Sequence, residues 1–253
     1  MMVMMVVALP PDRGIYVIQI EGKPAGFHFY ELEAVDNGFT HSGNTYMKIN
    51  VMGAHTEARF LSETSLTPDY YPLTYDLYMS SNDMEQSISA SFAADTVGFS
   101  ITSGPDSMNA TVYLDANTLV LDNNVYDLFR VMLQKADWAG GKKREFNVYM
   151  PQTMRKGTSF IIPGAEMEYR GEKARRVTFD LMGMEMSGIV SPDGRVLHRL
   201  DSPMQSVVIQ RMDDLDTAAV KISDYLPVSI MENIFYRPSQ PIPDPGSVAF
   251  VSI

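Results

Sequence analysis

The 253-residue chain contains no cysteine. That removes disulfides, thiolate zinc sites, iron–sulfur clusters and cysteine nucleophiles from its chemistry. Histidine is scarce: His28, His41, His55 and His198 are the four present, and none falls in the H-x-x-x-H or H-E-x-x-H spacing of a helical metal site. Basic residues are outnumbered, 20 against 31 acids, giving a net charge of −11. A nucleic-acid backbone needs the opposite balance, so no nucleic-acid partner is expected. The chain has no G-x-G-x-x-G, no G-K-[ST] and no G-x-S-x-G, so neither a phosphate cradle nor a nucleophile elbow is present. It also has no apolar run near the ~20 residues of a membrane-spanning helix. No cofactor and no metal are expected.

What is present is a period-two pattern that recurs from residue 14 to about 120. Gly14 to Ile20 alternates, Glu21-Gly-Lys-Pro24 turns, and Ala25 to Val35 returns to Asp36-Asn-Gly38. Further alternating stretches follow every 8–12 residues or so, separated by polar turns. They resume after residue 144 and end with the hairpin signal Ser191-Pro-Asp-Gly194 and a strand from Ser206 to Met212. Such spacing describes an antiparallel meander, sandwich or barrel.

One segment departs from this rule. Asn123 or Asn124 offers an N-cap, and Val125, Leu128, Phe129, Met132, Leu133 and Ala136 then recur at helical spacing. Asp127, Arg130, Gln134 and Lys135 fall on the opposite face, and Gly140-Gly141 provides a stop. A helix over about residues 124–137 with one apolar face must lie against a sheet. The expected fold is therefore mainly β: a strongly curved antiparallel sheet or half-barrel with one covering α-helix.

The candidate binding residues are apolar. Met182, Met184 and Met186 alternate along one strand face in a chain with 19 methionines. Flexible thioethers suit either an adaptable ligand lining or irregular core packing under the helix. Phe129 and Met132 belong to the apolar face of the helix. Tyr71 and Tyr75 share a strand face if Pro72 leaves the register intact; tyrosines there bind ligands or simply form strands. The polar candidates read as ordinary surface. His28 lies between Phe27 and Phe29 and reads as a surface or rim histidine, as does His198. Asp213-Asp214-Leu-Asp216 lacks the glycine and bidentate glutamate of a calcium loop. Lys142-Lys-Arg144 reads as a solvated loop, and no acid pair stands out for glycan hydrolysis.

The order of parts carries a resemblance. A G-x-x-x-G-aromatic turn, Gly22-Lys-Pro-Ala-Gly26-Phe27, follows the first strand. Leu66-Thr-Pro68-Asp-Tyr70 marks a later turn, the single helix comes next, and Asp193-Gly-Arg195 closes a late hairpin. Over roughly Gly14 to Met212 this resembles an uncharacterised bacterial envelope family. Its β-domains occur alone or in front of transglutaminase-like cysteine peptidase domains, and look like the lipoprotein-carrier half-barrels that cradle acyl chains. The resemblance implies an exported, periplasmic or extracytoplasmic location, a non-enzymatic role, and an apolar ligand or adjacent domain as partner. It brings no catalytic residue to this chain.

The ends fit the same picture. Residues 1–13 read as a tail, either a signal remnant or a short strand, because Met1 to Ala8 is apolar without a basic segment before it. Residues 14–219 read as one β-domain. Residues 220–253 read as a proline-rich linker, Arg237 to Gly246, and a terminal strand, the kind of segment that leads to a further domain. Three functions stand at this point: an envelope domain that binds an apolar ligand or assists a partner, a carboxylate-based glycan hydrolase, and a purely structural interaction domain.

Overall fold

A computed structural model describes residues 12–51, 54–82, 84–212 and 226–227. The tail at residues 1–11, the acidic stretch at 213–225 and the proline-rich region at 228–253 lie outside the described residues. The first meander comprises β1 (Asp12–Ile20), β2 (Lys23–Val35), β3 (Gly38–Val51), β4 (Ala54–Leu66), β5 (Pro72–Ser81), β6 (Met84–Phe92), β7 (Thr96–Ser103) and β8 (Asp106–Tyr113). A short β9 (Leu119–Val120) leads to a 3-10 turn (Tyr126–Leu128) and a helix, α1 (Phe129–Lys135). The second meander runs through β10 (Arg144–Met150), β11 (Arg155–Tyr169), β12 (Glu172–Leu181), β13 (Met184–Val190), β14 (Leu197–Ser202) and β15 (Val207–Arg211). The two-residue β16 (Leu226–Pro227) pairs in parallel with β3.

All these strands form one large, mostly antiparallel sheet. Each meander is laid down in sequence order, and the two are joined where β1 pairs antiparallel with β15. The outermost strands are β8 and β9, so the sheet is not closed into a barrel. It is nevertheless strongly curved: Tyr149 on β10 meets Phe92 on β6 and Phe99 on β7, at ring-centroid distances of 6.4 and 6.5 Å. Three hairpins are closed by two-residue turns, Glu21-Gly22, Arg170-Gly171 and Met182-Gly183, with positive φ at both positions. That geometry matches the right-handed twist of the flanking strands, and glycine reaches it without a Cβ penalty.

The concave face holds the core, and α1 is sunk into it. The helix is shorter and more deeply buried than the sequence pattern predicts. It is seven residues long and has no side-chain N-cap. Asn124 instead adopts a left-handed conformation and gives its carbonyl to Thr45 on β3. The helix ends before Gly140 because Ala136 turns extended, and the Trp138 indole N–H takes the Leu133 carbonyl at 2.9 Å. Phe129, Arg130, Val131, Met132 and Leu133 are all buried. The expectation that Asp127 and Arg130 face water is overturned. With strands around it on more than one side, the segment buries its polar face as well, and that face must find partners inside the protein.

Candidate functional site

The segment at residues 122–130 divides the interior into two environments. Tyr126 and Phe129 point one way, and Asp127 and Arg130 the other.

The charged side is built on β1, β2 and β3. Along β2 the inward residues are Ala25, His28, Tyr30 and Leu32, whereas Phe27 and Phe29 are half-buried on the outer face against Tyr46. His28 is therefore a core residue, not a rim histidine. It pairs in register with Thr45 on β3, and its Nδ1 lies 2.7 Å from the Thr45 hydroxyl. That hydroxyl donates to the Asn124 carbonyl at 2.7 Å, so His28 Nδ1 must be the donor. The other ring nitrogen, Nε2, is 2.8 Å from Asp127 Oδ1, and His41 Nδ1 is 3.2 Å from Asp127 Oδ2. Asp127, His28 and His41 are 1%, 0% and 2% exposed.

Room for this carboxylate comes from an absent side chain. A Cβ on Gly43 would come within 2.9 Å of Asp127 Oδ1 and 2.7 Å of Ser62 Oγ. One turn on, Arg130 ion-pairs with Asp12 and stacks 4.5 Å above the Tyr30 ring. Burial lowers His41 to about 4, partly opposed by Asp127. Burial alone would raise Asp127, but the His41 and His28 rings outweigh it and hold the carboxyl below its ordinary value. His41 Nε2 and Arg130 Nε find no hydrogen-bond partner among the described residues. A Thr–His–Asp chain resembles a hydrolytic triad in composition. Here the Thr45 proton is committed to a carbonyl and the group is sealed from solvent, so Thr45 cannot meet a substrate.

The other side is an open cavity of about 350 Å³. Ile20, Met47, Phe60, Met186 and Leu200 from the sheet form its apolar wall, with Tyr126 and Phe129 from the plug segment. One end is polar: Asp122, Asn123, Asn124, Gln152, Ser202 and Gln205. The Asp122 carboxyl accepts from the Tyr75 hydroxyl at 3.0 Å and from the backbone N–H groups of Gln152 and Asn123 at 3.1 Å each. Burial pushes Asp122 up to about 7 despite these bonds. It is the one carboxylate among the described lining residues. A glycosidase needs two carboxyls facing across a cleft, so this lining does not supply that pair.

The seven predicted ligand residues distribute unevenly. Phe129, Met184 and Met186 line the cavity. Tyr75 is fully buried behind its polar end and orients Asp122. Met132 is fully buried in the core. Two predictions are corrected. Met182 is not on the Met184 and Met186 face, because it occupies the hairpin turn at φ 52°. Tyr71 does not share the face of Tyr75: a bulge separates Ser65 and Leu66 opposite Pro72, and Tyr71, just before β5, is half-buried against the edge of the core with Lys135 Nζ 3.8 Å from its ring. Sequence reasoning missed Asp122, Asn124, Gln152, Ser202 and Gln205, which come from separated loops and strand ends. Asn123-Asn124 beside an aspartate was the one local signal available.

Among the described residues no helix is long and apolar enough to cross a membrane, and no cluster of three or more potential ligands could hold a metal ion. No protein-family model and no curated protein matches the sequence. Among solved structures, the chain is similar to a β-barrel-like protein of the domain of unknown function DUF1849 from Brucella abortus. The TM-score is 0.55 at 13% identity, covering 80% of this chain and 95% of that one. The fold is β-barrel-like. A DUF1089 family protein from Pseudomonas aeruginosa also matches, with a TM-score of 0.45 at 8% identity over 68% of this chain and 87% of that one. The first likeness agrees with an uncharacterised β-domain and extends to the fold alone.

Proposed function

We propose that the protein is a non-enzymatic β-domain of the bacterial cell envelope that holds an apolar, lipid-like ligand between its curved sheet and the plug helix. One observation carries this reading: the concave side is not fully packed, but keeps a cavity of about 350 Å³ with an apolar wall and a polar end. That volume falls near the lower end of the ~300–1,000 Å³ typical of small-molecule sites, and it combines an apolar lining with a few convergent polar groups. Met184 and Met186 give the wall adaptability, since thioethers repack at little cost. An exported location and a role beside a partner domain belong to the same reading. They are supported by the resemblance carried by Gly22 to Phe27 and Asp193 to Arg195.

The test is direct. Protein purified without detergent is extracted with organic solvent and the extract examined by mass spectrometry. The neutral apolar dye N-phenyl-1-naphthylamine is then titrated into the delipidated protein. A stoichiometric lipid in the extract and saturable dye fluorescence are expected; an empty extract together with non-saturable dye signal would remove the ligand. Cell fractionation tests the location, with recovery in the cytosol counting against export.

A second reading, an interaction module, is favoured by β8. This edge strand is exposed along nearly its whole length, with Met108 and Tyr113 open to solvent. An unpaired edge is a template for strand addition by a partner. A charge placed on that edge, such as Ser107→Lys, should weaken partner capture without affecting dye binding.

A further inference from the structure

The described lining of the cavity carries no cation: it has no lysine, arginine or histidine. The basic residue in the adjoining segment, Arg130, points to the other side and is committed to Asp12 and the Tyr30 ring. The polar end is instead made of three side-chain amides from the plug loop and its neighbour (Asn123, Asn124 and Gln152), a fourth from Gln205, the Ser202 hydroxyl and one carboxyl. An anionic head seated here would lose its water with no counter-charge, a heavy desolvation cost. The chain as a whole, at −11, would add to that cost.

We infer that the ligand is a single-chain amphiphile with an uncharged head bearing hydroxyl or amide groups, its chain along Met47, Phe60 and Met186 and its head among Asn124, Gln152, Ser202 and Gln205. This rests on the apolar-ligand reading and names its chemical class. Several head contacts are already arranged to leave capacity. The Ser202 hydroxyl donates to Gln205 Oε1 at 3.2 Å, leaving the Gln205 amide N–H groups for a ligand oxygen. Gln152 Nε2 donates to the Asn123 carbonyl at 2.7 Å, which leaves its own side-chain oxygen to accept. Asp122 Oδ1 accepts a single bond, from the Asn123 N–H. Near neutral pH its carboxyl is partly protonated and can itself donate to a hydroxyl. The cavity volume suits one chain and a compact head better than a two-chain phospholipid.

The experiment holds the chain constant and changes the head. 1-Monododecanoylglycerol, dodecanoate and dodecylamine are each used to displace N-phenyl-1-naphthylamine from the delipidated full chain at pH 7.5, below their aggregation limits. The monoacylglycerol is expected to compete at least about tenfold better than dodecanoate, a difference of about 1.4 kcal/mol. Equal or better competition by dodecanoate or dodecylamine overturns the inference while leaving an apolar-ligand site standing. Failure of the dye and all three amphiphiles to bind overturns both. A gain-of-function variant adds a second readout. Gln205→Lys brings a cation to the polar end and should improve dodecanoate competition about tenfold relative to the monoacylglycerol. Gln152→Lys is the alternative if that variant does not fold. No gain for dodecanoate in either folded variant would overturn the assignment of the head to this end.

Discussion

The two sides of the plug segment use the same kinds of residue to opposite ends. In the charged cluster, Asp127, His28, His41, Thr45, Arg130 and Asp12 are packed until they contact one another, with Asp127, His28 and His41 at most 2% exposed. Across the plug segment, Asp122 and the amides stand at the edge of an open volume walled by β1, β3 and β4 as well as by β12–β15. Polar groups in contact with one another fasten the helix to the sheet; polar groups that face a space are free to meet something else. Substitutions on the first side should change stability, and substitutions on the second should change binding.

The largest effect is expected at Asp127. Asp127→Ala leaves two buried imidazoles facing each other without their shared carboxylate. Removing one member of a buried charged group typically costs about 3–5 kcal/mol. Urea denaturation should show that loss as a lowered midpoint. Gly43→Ala acts on the same site by pushing a methyl against Asp127 and Ser62, at about 1–3 kcal/mol. If both variants keep wild-type stability and instead lose dye binding, the division between the two sides is wrong.

The two sides also answer pH in opposite directions. His41 is lowered from 6.5 to about 4 in the fold. The unfolded chain therefore binds more protons between those values, and this contribution is full above 6.5 and lost as pH falls toward 4. Asp122 is raised from 3.8 to about 7. Its contribution is full below 3.8 and is lost as pH rises through 7. Between about 4 and 6.5 the two slopes oppose. Asp122→Asn removes one of them, so the variant should gain stability relative to wild type at pH 8, on the order of a few kcal/mol at most, and lose that advantage at pH 4. Thermal melts at the two pH values measure it. An equal shift at both would show that Asp122 does not titrate in this window.

Much of the architecture was legible in the chain, because period-two alternation and polar turns are local signals. The site was less so. His28 reads as surface because its neighbours Phe27 and Phe29 are the apolar pair. Alternation correctly separates them but does not say which set is inside. The answer depends on Asp127 arriving from 99 residues away in sequence and on the notch at Gly43. Asp127 and Arg130 themselves read as a solvent face because a helical stripe assumes one covered side. A plug inside a curved sheet has several.

A smaller effect is expected in the cavity wall. Met184 is half-buried at its margin. Met184→Trp fills space at the cost of the Ser202 Oγ–Met184 Sδ contact and should lower stability by about 1–3 kcal/mol. It should reduce N-phenyl-1-naphthylamine affinity about tenfold or more. Unchanged dye affinity would place the dye, and the ligand with it, outside this cavity.

The smallest effect is expected at Met182, the methionine that sequence alternation grouped with Met184 and Met186. Its backbone is left-handed at φ 52°, a conformation that asparagine adopts more readily than methionine. Its side chain packs near Gly157 rather than into the cavity. Met182→Asn therefore exchanges a modest apolar contact for relief of backbone strain, and the two nearly cancel. Stability should stay within about 1 kcal/mol, and dye binding should match wild type. The contrast with Met184→Trp isolates position from residue type: two methionines, two residues apart, one in a turn and one on the wall. If Met182→Asn weakens binding as much as Met184→Trp does, the ligand reaches beyond the cavity to the β12–β13 hairpin.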